Sequence, residues 1–101
     1  MSKHKHSAAR KSLLIRAALA LAKTHGYKCV TREQIAQKCD VSPALVSYHM
    51  GTMTEMRRTL IRHAISEKVL RVIGQAVAAG DPEARRVPVE LRKEALQALA
   101  G

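Results

Sequence analysis

The hydrophobic pattern divides the chain into helical stretches separated by short polar breaks. From Arg10 to Thr24, the run RKSLLIRAALALAKT repeats Leu14, Ala17, Ala18 and Leu21 along one helical face, which Leu13, Ile15 and Leu19 widen. His25-Gly26 ends that helix. A second helix starts at Thr31, whose hydroxyl can cap free backbone N–H groups, with Gln34 three residues on to complete a capping box. Ile35, Ala36 and Cys39 then share a face, and Asp40-Val41-Ser42 turns the chain. Ser42 caps a third helix that Pro43 opens and that stops near Met50, because Gly51 is free to take the left-handed conformation. Thr52 or Thr54 starts a helix predicted to continue to about Ala79, where Gly80-Asp81-Pro82 breaks it; at ~1.5 Å per residue it would span roughly 38 Å. A last amphipathic helix, from Pro88 or Val89 to Ala100, sets Leu91, Ala95 and Leu99 on one face with Val89 and Leu96 beside them.

The stretch TREQIAQKCDVSPALVSYHM, Thr31 to Met50, has the spacing of a helix-turn-helix. In its second helix Leu45, Val46 and Met50 point inward, which leaves Pro43, Ala44, Ser47 and Tyr48 facing out. Such a helix lies in the major groove of DNA, so these four are the expected base-edge contacts: Ser47 can donate or accept, and Ala44 can meet a thymine methyl. Thr31, Arg32, His49 and Thr52 are expected at phosphates, with Lys3, Lys5, Arg10 and Lys11 as auxiliary contacts. The outward face lacks Arg, Asn and Gln, the residues that read bases bidentately, so base discrimination should be modest or lean on DNA shape and on the basic N-terminal arm.

Gly26-Tyr27, Thr31, Ile35-Ala36, Val41-Ser42 and Tyr48-His49-Met50-Gly51-Thr52, followed by Met56 and Leu60, are similar to the DNA-binding head of the TetR family of bacterial transcriptional regulators. The resemblance runs from about Arg10 to Leu60 and adds weight to Tyr48 and His49 as DNA contacts. It implies a transcriptional regulator, a repressor rather than an activator. Three residues depart from the family's pattern. Asp40 replaces the usual turn glycine, a change that a left-handed Asp tolerates; Ser47 stands where Tyr is frequent; and Met53 replaces a lysine, which removes one implied phosphate contact. Full-length relatives carry a large helical C-terminal domain that dimerises and encloses a small-molecule pocket. Only about 40 residues follow the early turns of the long helix here, so no small-molecule effector pocket and no cofactor are expected.

A chain of 101 residues allows one small domain and is short for a self-sufficient core. The expected architecture is all-α: a basic flexible arm (1–9), a three-helix, homeodomain-like helix-turn-helix head (10–53), and a long helix plus a short C-terminal helix (54–101) that together make a homodimer. The dimer seam is expected at Ile65, Val69, Val72, Ile73, Ala76, Leu91, Leu96 and Leu99. With no Phe or Trp, the core must be aliphatic and alanine-rich.

Net charge is +10, and it is concentrated: twelve of the 18 Lys and Arg but only three of the 8 Asp and Glu lie at or before Arg62. Counterion release from a polyphosphate calls for that asymmetry. Arg57, Arg58 and Arg62 are either phosphate ligands or a solvated face. Cys29 and Cys39 have no CxxC spacing, and no secretory signal or long apolar span is present, so a cytoplasmic chain with reduced thiols and no membrane contact is expected. His and acidic residues form no catalytic or metal-ligand spacing, which argues against an enzyme and against a metal site. The reading is a small dimeric regulator bound to double-stranded DNA, from a phage, plasmid or similar compact genome. Its competitors are a helical protein-interaction module, antitoxin-like or an anti-regulator adaptor, and the DNA-binding subunit of a recombination or replication complex.

Overall fold

The structure, a computed structural model, describes the backbone from residue 3 and side chains from residue 8. Its described residues are helical or in short connections, with no strand. The helices are α1 (Lys3–His25), α2 (Arg32–Cys39), α3 (Pro43–Met50), α4 (Met53–Glu67), α5 (Leu70–Ala79) and α6 (Val89–Ala100). Single 3₁₀ turns at Tyr27–Cys29 and Pro82–Arg86 join α1 to α2 and α5 to α6. α1 therefore starts before the expected Arg10, and Ala8 and Ala9 belong to it rather than to an arm, as alanine's helix propensity favours.

Helix ends follow the local chemistry. At α2 the Thr31 hydroxyl accepts from the Gln34 N–H (3.1 Å) while the Gln34 side chain accepts from the Thr31 N–H (2.9 Å). Thr52 and Glu55 repeat this reciprocal cap at α4. The Ser42 hydroxyl accepts from the Leu45 N–H and Pro43 fills the first turn of α3. Asp40 adopts the left-handed conformation expected of it, with φ 56° and ψ 49°. Gly51 does not: at φ 75° and ψ −147° it lies in a region that essentially only glycine enters.

α1 is the central post of the head. Leu14, Ile15, Ala18 and Ala22 are buried against Ile35 and Ala36 of α2, Val46 and Met50 of α3, and Met56 and Leu60 of α4 within one aliphatic core. Small alanines on α1 and α2 permit that close approach.

The long helix expected from Thr52 to Ala79 is two helices. Lys68 takes the left-handed conformation (φ 56°, ψ 45°) and its N–H reaches the Ala64 and Ile65 carbonyls, while the Val69 N–H bonds Ala64 O at 2.8 Å. The carbonyls freed by stopping α4 are thus satisfied. The physical reason for the break is burial. Met56, Leu60 and Ala64 face the head, whereas Val72, Ile73 and Ala76 form a separate stripe that a straight rod would leave in water. Bending at Lys68 brings both stripes onto one core and shortens α4 to roughly 22 Å at ~1.5 Å per residue over its 15 residues.

α6 then folds back on α5. The two cross most closely at Gly74, where a Cβ would collide with the Ala95 carbonyl oxygen and lie 3.2 Å from the Leu99 Cβ. Ala95, opposite, is fully buried. This packing corrects the expected dimer seam. Val72, Ile73 and Ala76 are fully buried within the single chain and unavailable to a partner, because α6 and the head already cover them. Ile65, Val69 and Leu91 are half-buried against the same core, Leu99 is half-buried, and Leu96 stays exposed.

Candidate nucleic-acid interface

α3 is anchored on one side and bare on the other. Val46 and Met50 are buried and Leu45 half-buried, whereas Pro43 and Ala44 are exposed, Ser47 is half-buried and Tyr48 stands 77% exposed. All four expected base contacts therefore reach the surface of one short helix, Pro43 and Ala44 in its capped first turn and Ser47 and Tyr48 in its second. The Tyr48 ring meets the His49 ring edge-on, with centroids 5.1 Å apart and planes at 82°. A large aromatic left this open has no core role, and it presents both a flat apolar face and a hydroxyl.

The expected phosphate contacts cluster at two helix N-termini. Thr31 and Arg32 open α2, both half-buried, and Thr52 opens α4. In each threonine the oxygen accepts the cap hydrogen bond; at Thr31 this leaves the hydroxyl proton free to donate to a phosphate, whereas the Thr52 hydroxyl also serves the Glu55 carboxylate. The partial positive charge of a helix N-terminus adds to that preference for an anion. Arg10 and Lys11 are exposed on α1 one turn before Leu14 and Ile15 enter the core, and His49 is half-buried. The side chains of Lys3 and Lys5, also expected at phosphates, lie outside the described residues. Glu55 is an anion at this edge. The Thr52 N–H and then the Thr52 hydroxyl hold its carboxyl below the usual carboxylate range, so it stays charged and committed to the cap.

The arginines of α4 have partners within the chain. Arg57 Nη2 donates to the Lys28 carbonyl at 3.0 Å. Arg62 and Arg86 bind Glu83 at 3.0 and 3.2 Å, with Arg58 at 3.6 Å. Glu83 is depressed below its ordinary value, chiefly by the hydrogen bond from Arg62.

Sequence reasoning missed the polar seam that fastens the head to the C-terminal half. Tyr27 is buried; its N–H donates to Gln75 Oε1 (2.9 Å) and its hydroxyl to Asp81 Oδ2 (3.0 Å). Gln75 Nε2 in turn donates to the Ala22 carbonyl at 2.9 Å, near the end of α1. Burial, reinforced by Asp81, pushes the Tyr27 phenol up to about 12. Asp81 before Pro82 is a recognisable turn cap, but nothing local in the sequence pairs it with a tyrosine 54 residues away. A cleft of about 250 Å³ opens beside this seam, lined by Tyr27, Lys28, Thr54, Arg57, Arg58, Asp81, Pro82 and Glu83.

Cys39 packs half-buried with its thiol 3.9 Å from the Leu13 carbonyl, Cys29 is exposed, and both are free. Among the described residues no three His, Cys, Asp or Glu side chains gather as metal ligands, and no helix is long and apolar enough to cross a membrane.

Residues 14–60, which hold α2, α3 and the α1 and α4 surfaces that pack on them, match the family model of the bacterial regulatory proteins of the tetR family. No curated protein and no solved structure matches the chain.

Proposed function

Residues 14–60 are an N-terminal helix-turn-helix DNA-binding domain of the TetR family of transcriptional regulators, and from that premise we propose that the chain is a small dimeric repressor that sets α3 into the major groove of a palindromic operator. The observation that carries this reading is the outer face of α3, with Tyr48 77% exposed on a helix whose opposite side is fixed in the core. A ring so open is available to a partner, and the capping residues Thr31 and Thr52 lie at the neighbouring helix N-termini. Pro43, Ala44, Ser47 and Tyr48 meet base edges; Thr31, Arg32, His49 and Thr52 meet phosphates, with Lys3, Lys5, Arg10 and Lys11 as auxiliary contacts.

The dimer uses α6. Val89 and Leu96 are 65% and 42% exposed there, with the half-buried Leu99 one turn on from Leu96 and the half-buried Leu91 on the side turned to the core. Ile65 and Val69, half-buried at the α4–α5 corner, extend the apolar surface. Two copies related by a two-fold axis would address half-sites about one helical turn apart, ~34–36 Å, or a multiple. Repression follows from occupancy alone, with no enclosed effector pocket required.

Selection of bound duplexes from random DNA, with the mass of the complex measured, tests the proposal. A palindromic motif bound by two chains, with affinity falling steeply as salt rises, is the expected result. Weak, indiscriminate DNA affinity alongside tight binding to another protein would favour the interaction-module reading, for which the exposed Val89 and Leu96 also speak.

A further inference from the structure

The α2 N-terminus that carries Thr31 and Arg32 is reached through the Tyr27–Cys29 turn, whose Tyr27 and the following Val30 are buried in the core but which makes few hydrogen bonds of its own. Gly26 enters it at φ 92°, a conformation open to glycine, and a single backbone bond closes it, from the Cys29 N–H to the Gly26 carbonyl at 3.0 Å. Its remaining polar ties come from elsewhere: Gln75 of α5 on the Tyr27 N–H, Asp81 on the Tyr27 hydroxyl, and Arg57 of α4 on the Lys28 carbonyl. The body of α2 is fixed independently, by the fully buried Ile35 and by Ala36 against α1 and α3.

Resting on the DNA-binding reading above, we infer that Gln75 and Asp81, outside the helix-turn-helix, are positioning residues of the DNA interface: they fix the turn that delivers Thr31 and Arg32 to the phosphate backbone. Gln75 does this by bridging two elements at once, since its carbonyl oxygen takes the Tyr27 N–H while its amide donates to Ala22 at the end of α1. Asp81 holds Tyr27 with one carboxylate oxygen and the Glu83 N–H with the other, tying the turn to the α5–α6 connection. Without these ties the near end of α2 loosens while α3, anchored by Val46 and Met50, keeps its place. Phosphate contacts at α2 are then lost selectively and base contacts at α3 retained.

Gln75→Leu and Asp81→Ala are each expected to weaken operator binding about three- to tenfold, the loss of roughly one net hydrogen bond, in protein that circular dichroism reports as folded. An operator scanned one phosphate at a time with neutral methylphosphonates locates the defect. Neutralising the phosphates beside α2 should cost the wild type affinity and cost these variants little, while phosphates elsewhere behave alike in all. Asp81→Asn should restore wild-type behaviour, since its amide oxygen can take the Glu83 N–H and its NH₂ can donate to the Tyr27 oxygen. If Gln75→Leu does not fold, Tyr27→Phe, which removes one hydroxyl, carries the same expectation as Asp81→Ala. Unchanged affinity, a loss spread evenly over all phosphates, or failure of Asp81→Asn to restore binding each overturns the inference. A wild-type chain that binds no duplex at all overturns the parent reading, and this one with it.

Discussion

Single side chains in this molecule have separable duties. Tyr48 and Tyr27 are the only aromatics, one 77% exposed and one 2%. Tyr48→Ala should abolish most operator affinity in a gel shift while leaving circular dichroism unchanged; a parallel loss of helicity would mean that the ring supports the fold. Tyr27→Phe should instead lower stability by about 1.5–3 kcal/mol in denaturant titration, since it deletes a buried hydrogen bond to a carboxylate. Gly74 sets propensity against packing. Alanine is the better helix former by ~1 kcal/mol, but its methyl would strike the Ala95 backbone, which cannot move aside as a flexible side chain can. Gly74→Ala should therefore destabilise by a net ~1–2 kcal/mol, and a rise in melting temperature would show that α6 yields easily.

At the scale of helices and turns, what the sequence made legible was whatever a few neighbouring residues decide. Thr31 with Gln34, Ser42 with Pro43, and the left-handed Asp40 all act within four positions, and all formed as expected. The buried side of α3 was legible for the same reason, since Val46 and Met50 recur at helical spacing. The end of α4 was not. Lysine has no liking for positive φ, so nothing at Lys68 announces a stop; the demand comes from the distant core that Val72 and Ile73 must reach. The Tyr27–Gln75 and Tyr27–Asp81 ties were equally hidden, because they join residues 48 and 54 positions apart. Lys68→Gly should relieve the left-handed strain and leave the corner intact, a gain of about 0.5–1 kcal/mol readable as a higher melting temperature. No gain would mean that the Lys68 side chain contributes something its exposed position does not suggest.

The whole molecule is one core with polar fastenings at its rim, and its response to pH follows from their signs. Arg62, foremost, holds Glu83 below its ordinary value, so its contribution is present above the unfolded carboxylate range of about 4.3 and lost as pH falls through the lower folded value. Tyr27 runs the other way. Its folded value near 12 lies above the unfolded 10.0, so its contribution is complete below 10.0 and vanishes as pH climbs toward 12. Thermal melts across pH should fall at both extremes, with Glu83→Gln flattening the acid limb and Tyr27→Phe the alkaline one. The proposed dimer separates from folding in the same way: Leu96→Asp should give folded monomers by light scattering, whereas Val72→Asp should not fold, because Val72 is wholly inside the chain.

The corner at Lys68 bears on modularity. A chain cut after Glu67 keeps every residue of the 14–60 family match, yet it strips the cover from Ile61 and Ala64, removes the partner of the Tyr27 N–H, and leaves the Ala22 carbonyl with the Gly26 N–H alone. The reading head is thus not a cassette that can be lifted out and grafted onto another scaffold. Any working transplant has to carry the hairpin of α5 and α6 along with it.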